Sequence, residues 1–198
     1  MVIQESADPA LFRFISDRNL LQQYDLLESE VHVSSHTNQS GISHDLMKKL
    51  QRTVTNHLCD NPGHYRQCWI GITNSNHQPP DHVLVQDLQD KLVQYIASSW
   101  NTRSALHLAA VALWQINWTH PFEEGNGRTA RAVAYYIMCL KYGMWLPGKN
   151  IIPQQIRANR APYYASLHAA DVAHAAGKDD VSKLEDYLSG LLGKQLIP

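Results

Sequence analysis

The sequence lacks most of the features that mark a protein class at sight. Its 198 residues carry a formal net charge of −1, so no basic surface for a nucleic-acid backbone is expected. No apolar run is long enough to span a bilayer, and no membrane partner is expected. The first twenty residues include Glu5, Asp8, Arg13, Asp17 and Arg18, which is not the pattern of a secretory signal peptide. Cysteine is scarce: Cys59, Cys68 and Cys139 are the three present, widely spaced. That favours reduced thiols in a cytoplasm over a disulfide framework; a secreted effector is the alternative setting. The eleven histidines include no His-Glu-x-x-His pair. His32 and His36 have a ligand-like spacing, but with no third ligand nearby a surface helix or loop explains them. Internal repeats and low-complexity segments are absent. The length suffices for one domain with a real core.

The pattern that is there is mostly helical. Residues 1–30 read as helix, started at Asp8-Pro9 and faced with Leu20, Leu21, Tyr24 and Leu27. The polar stretch 31–43 breaks the pattern. A second helix runs from Ser43 or His44 to about His57 and ends at Asn61-Pro62-Gly63. Cys68-Trp69-Ile70-Gly71-Ile72 is a short strand candidate followed by turn chemistry, and Pro79-Pro80 limits any returning strand to an edge. A small β-hairpin is the expectation. Asp87–Trp100 reads as a helix, and Asn101 is placed as the cap of the next one, which carries Leu106, Ala109, Ala110 and Leu113 in step. Ile156–Ala175 and Val181–Leu192 read as two further helices.

One stretch carries chemistry: His120-Pro121-Phe122-Glu123-Glu124-Gly125-Asn126-Gly127-Arg128-Thr129-Ala130-Arg131. Ala130, Val133, Ala134, Ile137 and Met138 predict a helix with one apolar face, reaching about Tyr142. Its start at Gly125-Asn126-Gly127 lets the backbone approach a ligand closely. The first amides of a helix have no internal acceptor and meet the positive end of the macrodipole, which suits phosphate. Arg128 and Arg131 share a face and can reach one polyphosphate with guanidinium forks. Glu124 offers a hard oxygen to Mg²⁺ beside that site. His120, on the preceding loop, is the residue type best suited to take a proton near neutral pH, and Phe122 is expected to turn inward as a structural anchor.

This stretch resembles the motif of the Fic (Fic/Doc) family, His-x-Phe-x-(Asp/Glu)-Gly-Asn-Gly-Arg-x-x-Arg, at every specified position. A chance match in a chain this long has odds of about one in a hundred million. The resemblance covers roughly residues 60–192, strongly at 120–131. It implies a mainly α fold, a Fic-like helical bundle with a small β-hairpin flap over the active site. Residues 1–59 would form an N-terminal helical segment packed on a core of residues 60–198, with the flap at about 66–84 and the motif loop and helix at 120–142. The implied activity is protein adenylyltransferase: AMP moves from ATP, with Mg²⁺, to a Ser, Thr or Tyr hydroxyl of a target protein. The implied roles are His120 as base, Glu124 as metal ligand, and the amides of Gly125, Asn126 and Gly127 with the Asn126 side chain on the phosphates. Arg128 would take the β-phosphate side, Arg131 the γ-phosphate, and Tyr163 or Tyr164 the base.

The resemblance also implies that Trp69, Ile70, Gly71, Ile72 and Thr73 hold the target by strand addition. Many members carry an inhibitory (Ser/Thr)-x-x-x-Glu-(Gly/Asn) segment. Thr119–Glu123 is the one such spacing here and lies inside the motif loop. The nearest lookalike, Ser34 to Gln39, has Asn38 where the acid should stand. An unrestrained enzyme, or one held by a separate antitoxin chain, is the consequence; a homodimer stays open. The rivals are another donor (UMP, GMP, phosphocholine or phosphate), removal of AMP, and a nucleotide-binding interaction module without turnover.

Overall fold

The computed structural model describes residues 2–37, 39–72, 75 and 77–197. The described residues form eight α-helices: α1 Pro9–His36, α2 His44–Thr55, α3 Val85–Ser99, α4 Ala105–Thr119, α5 Asn126–Lys141, α6 Ile152–Ala158, α7 Ala161–Ala175 and α8 Ser182–Leu196. A single 3₁₀ turn, His82–Leu84, leads into α3.

The helices α4 and α5 form the central pair. Leu108, Ala109, Leu113 and Ile116 of α4 meet Val133, Ile137 and Met138 of α5, all fully buried. α5 is apolar nearly all round because it is covered on several sides: α1, α2 and α6 pack on it as well as α4. α3, α7 and α8 cover α4. The loop between the two central helices, residues 120–125, is thereby fixed at both ends by the most deeply buried elements of the molecule.

α1 runs further than its composition suggests. Asp8 caps it by accepting from Leu11 N at 2.9 Å, and Pro9 fills its first turn, where a missing N–H costs nothing. The expected break at 31–43 begins only after His36. Val31 continues the buried stripe, and the Tyr136 hydroxyl donates to Ser34 Oγ at 2.7 Å. Tertiary packing outweighs the weak helix preference of the serines. α2 starts at the expected point, with Ser43 Oγ accepting from Leu46 N at 3.1 Å. α4 is capped by Ser104, which accepts from His107 N at 3.0 Å, and not by Asn101. The helix expected over Ile156–Ala175 is two helices broken at Asn159-Arg160. Pro162 lacks the N–H that a continuous helix would direct at Ala158.

The hairpin expected over Cys68–Ile72 and its return is not formed: the described residues contain no β-strand. Thr73 and Asn38 lie outside them. Three local causes are visible. Trp69 is exposed and Ile70 and Ile72 are only half-buried, so the core does not hold this stretch in a sheet. Pro79 and Pro80 have no amide to give a ladder. The two ends of the segment are joined instead by one side chain, since Arg66 donates to Cys68 O and to Pro80 O.

Candidate active site

His120 caps the C-terminal end of α4 in the left-handed region, at φ 47 and ψ 62. A residue with a Cβ adopts this at a cost of about 1–2 kcal/mol, so the surroundings must hold it there. They do so at three atoms. His120 N donates to Ile116 O at 3.0 Å. His120 O accepts from Arg66 Nε at 2.7 Å. His120 Nδ1 lies 2.6 Å from Asn117 O. A carbonyl can only accept, so Nδ1 carries the proton and Nε2 keeps its lone pair. Burial pushes the His120 pKa below the ordinary 6.5, with His77 and Arg66 adding to the effect against the opposing pull of the Asn117 carbonyl. The imidazole is therefore neutral at pH 7, oriented, and basic at one known atom.

Phe122 is fully buried and packs its ring on Tyr65 at a centroid distance of 5.1 Å. The side chain of Asn126 closes the loop around it. Asn126 Oδ1 accepts from Phe122 N at 2.9 Å, and Asn126 Nδ2 donates to Phe122 O at 2.8 Å. The structure places this side chain, expected to meet phosphate, with its polar atoms on the loop and 3% exposed.

Gly125 sits at φ 79, where an added Cβ would stand 2.6 Å from Thr55 Cγ2; glycine is needed there both for conformation and for space. The first bond of α5 runs from Thr129 N to Gly125 O, so the amides of Asn126, Gly127 and Arg128 precede it and point at the cleft. Glu124 Oε1 accepts from Gly125 N at 2.9 Å and from Arg128 Nη2 at 2.7 Å. Arg128 also donates to Ser16 Oγ of α1 at 3.1 Å. Arg131 faces the same way but has no carboxylate partner among the described residues. Burial pulls its pKa down, and the nearby Tyr163 and Tyr24 hydroxyls oppose that.

These groups line a cleft of about 440 Å³, within the usual range for a small-molecule site. Ile70, Gly71 and Ile72 form its wall on the His120 side. Phe12, Ser16 and Leu20 of α1 form another, and Arg157, Arg160 and Tyr164 of α6 and α7 a third. Trp69 stands outside it. Of the two tyrosines offered for the base, Tyr164 lines the cleft. Tyr163 is 1% exposed; its hydroxyl oxygen accepts from Asn117 Nδ2 at 2.8 Å and contacts the Arg131 guanidinium. It braces the arginine from behind.

The sequence indicated no role at the site for Arg66 and Arg160, which lie in stretches that resemble Fic cores, and none for Ser16 or Arg157. The 157/160 pair has the same spacing as 128/131, which is the one local signal it gave. That both pairs face one cleft follows from the packing of α6 against α5. Arg157 is held by Asp17 of α1 at 2.6 Å.

With this geometry in hand, likeness to known proteins is informative. Residues 41–138 match the model of the Fic/DOC family. The protein adenylyltransferase fic-1 of Caenorhabditis elegans is 30% identical over 128 residues, 65% of this chain and 24% of its own length. The fic-1 protein of Caenorhabditis briggsae matches equally, at 30% over 128 residues with the same shares of the two chains. The chain thus spans about a quarter of the length of these curated relatives. Among solved structures, a Fic family protein from Desulfovibrio desulfuricans superposes with a TM-score of 0.70 at 21% identity, over 91% of this chain and 51% of the other. A Fic domain containing signaling protein from Bacteroides thetaiotaomicron gives 0.72 at 18%, over 91% and 71%. A Fic-1 fragment from C. elegans gives 0.63 at 25%, over 90% and 47%. The complete motif, the fold that displays it and these matches place the chain in the Fic/DOC family.

Proposed function

We propose that this chain is a protein adenylyltransferase, moving AMP from ATP to a hydroxyl of a target protein with release of pyrophosphate. The observation that carries the reading is the aim of His120: a neutral imidazole, its Nδ1 tied to Asn117 O, on the wall of a cleft floored by the amides that begin α5. In the reaction the target oxygen bonds to the α-phosphorus, the bond to the bridging oxygen of the β-phosphate breaks, and His120 Nε2 takes the hydroxyl proton. The amides of Asn126 and Gly127 stabilise charge on the transferring group, and Arg128 and Arg131 hold the leaving pyrophosphate.

Glu124 suits Mg²⁺. It is an exposed carboxylate at the mouth of the cleft, and Mg²⁺ commonly binds through one or two carboxylates together with substrate phosphates. No cluster of three or more His, Cys, Asp or Glu among the described residues offers a protein-only cage. A phosphate that engages Arg128 competes with its bond to Glu124; Oε1 then keeps the Gly125 N–H, and the carboxylate has a lone pair to offer the metal. Bound there, Mg²⁺ would neutralise charge building on the phosphate oxygens.

The target is proposed to approach along residues 69–72. Their Ile70, Gly71 and Ile72 flank the base, and an extended peptide can pair with open backbone. Regulation by a separate antitoxin chain, and a cytoplasmic setting in which the cysteines stay as thiols, belong to the same proposal. No helix of the described residues is long and apolar enough to cross a membrane.

Incubation of the chain with α-labelled ATP, GTP, UTP or CTP in a cell lysate tests the reading. Label passing from ATP to protein supports it. Preference for another nucleotide selects the other-donor reading, and nucleotide binding with no labelled product selects a binding module. Two further results are expected. The rate of transfer is flat through pH 7 and falls about tenfold per unit only below the ordinary histidine value, because the buried base must be neutral to act; a fall that begins above pH 7 contradicts this. Arg160→Ala weakens ATP binding about threefold to tenfold at low salt, with less effect on AMP. The guanidinium adds charge to a partly solvated polyphosphate seat, where screening limits its worth. Equal losses for ATP and AMP by calorimetry would place Arg160 away from the phosphate tail.

A further inference from the structure

Arg66 is 1% exposed and has no ion-pair partner among the described residues. Its charge is met by carbonyl oxygens instead. Nε donates to His120 O at 2.7 Å, and Nη2 to Thr119 O at 3.3 Å. Both oxygens belong to the C-terminal end of α4, the negative end of that helix's dipole. Nη1 donates to Cys68 O at 2.9 Å, and Nη2 also to Pro80 O. The backbone N of Arg66 donates to Pro121 O at 2.9 Å. One guanidinium therefore holds the carbonyl of the base itself and both ends of the segment that walls the cleft beside it.

We propose that Arg66 is a positioning residue that couples the target-docking segment to His120, so that one side chain sets both the wall along which a hydroxyl arrives and the aim of the group that takes its proton. The proposal rests on the reading of His120 as the base.

His120 occupies a left-handed conformation that is unfavourable for a residue with a Cβ. Freed from Nε, its carbonyl can swing toward ordinary extended geometry, and Nδ1 then leaves Asn117 O. A displacement of about 1 Å at a reacting group can cost about 10²-fold in rate. The same loss frees the carbonyls of Cys68 and Pro80 from their shared donor. Lysine cannot replace the arginine, because a single ammonium cannot present donors in three fixed directions. The phosphate seat at the tip of α5 makes no contact with Arg66 and is left intact. A residue serving stability alone would weaken nucleotide binding and turnover together.

The test uses the full chain and the variants Arg66→Lys and Arg66→Ala. We expect transfer of label from α-labelled ATP to fall about 10²-fold in both, with ATP affinity by calorimetry within about twofold of wild type. Millimolar guanidinium should restore part of the rate to Arg66→Ala. Amide exchange should rise together at residues 66–72 and 119–122 while 126–141 stays protected. Arg66→Lys transferring at the wild-type rate overturns the proposal, as does ATP affinity falling in parallel with rate. Should neither variant fold, wild-type exchange decides: residues 66–72 and 119–122 must open as one unit, and separate opening overturns it. A wild-type chain that labels nothing with any nucleotide removes the transferase reading, yet the exchange measurement still judges the coupling.

Discussion

Replacing His120 with alanine should lower AMP transfer by about 10²–10⁴-fold, the usual worth of a positioned general base, while leaving ATP binding nearly unchanged. The separation follows from where the atoms lie. The imidazole stands on the loop after α4, held by Asn117 O and Arg66 Nε. The proposed phosphate seat lies on α5, at Arg128, Arg131 and the first amides. Loss of the ring also removes a bond to Asn117 O, but Asn117 remains fixed through its own amide, which donates to Leu113 O at 2.6 Å and to the Tyr163 hydroxyl at 2.8 Å. Transfer should be measured at saturating ATP with α-labelled nucleotide, and binding by calorimetry with a non-hydrolysable analogue. Near wild-type transfer by His120→Ala would mean that some other group removes the proton. A matching loss of ATP affinity would mean that the ring supports the pocket and does not act in the chemistry.

Phe122→Ala should produce the largest loss of stability of any single change in the motif, about 3–5 kcal/mol. For a chain of this size that is a fall in Tm of about 10 °C. The ring is fully buried and packs against Tyr65 at a tilt of 48°. Tyr65 in turn shares a bond with His44 Nδ1 at 2.8 Å, and His44 Nε2 meets Asp90 at 2.8 Å. Removing the ring opens a cavity beneath the loop, between rigid helices that cannot close upon it. Phe122→Leu keeps most of the volume and should cost less than half as much. Calorimetry or denaturant titration decides; a Tm within about 2 °C of wild type for Phe122→Ala would show that the loop is held chiefly by the Asn126 bonds to its backbone.

Much of the site was legible in the sequence because it is local. His120, Phe122, Glu124, Gly125, Arg128 and Arg131 fall on one loop and the first turns of one helix, where spacing alone fixes which side chains share a face. The buried side of α5 was legible for the same reason. The errors have physical causes of a different kind. The segment 68–72 has strand-like composition, but Trp69 faces solvent, and the carbonyls of Cys68 and Pro80 are held by the Arg66 side chain instead of a strand ladder. The sequence also did not show that the Asn126 oxygen and nitrogen each bond to the backbone of Phe122. Tyr163 and Tyr164 are adjacent in sequence and therefore point to different sides of α7: one braces Arg131 from within, the other faces the cleft.

By itself the sequence determined the chemical content of the pocket: an imidazole, a carboxylate, a glycine-bounded helix tip and two guanidinium groups, all within twelve consecutive residues. Tertiary structure alone decided the proton-bearing nitrogen of His120, the partner that holds its backbone, and the second arginine pair on the cleft. Those properties depend on atoms from α1, α4, α6 and the 66–80 segment. Local periodicity carries no information about which distant carbonyls and side chains packing will bring within hydrogen-bond reach.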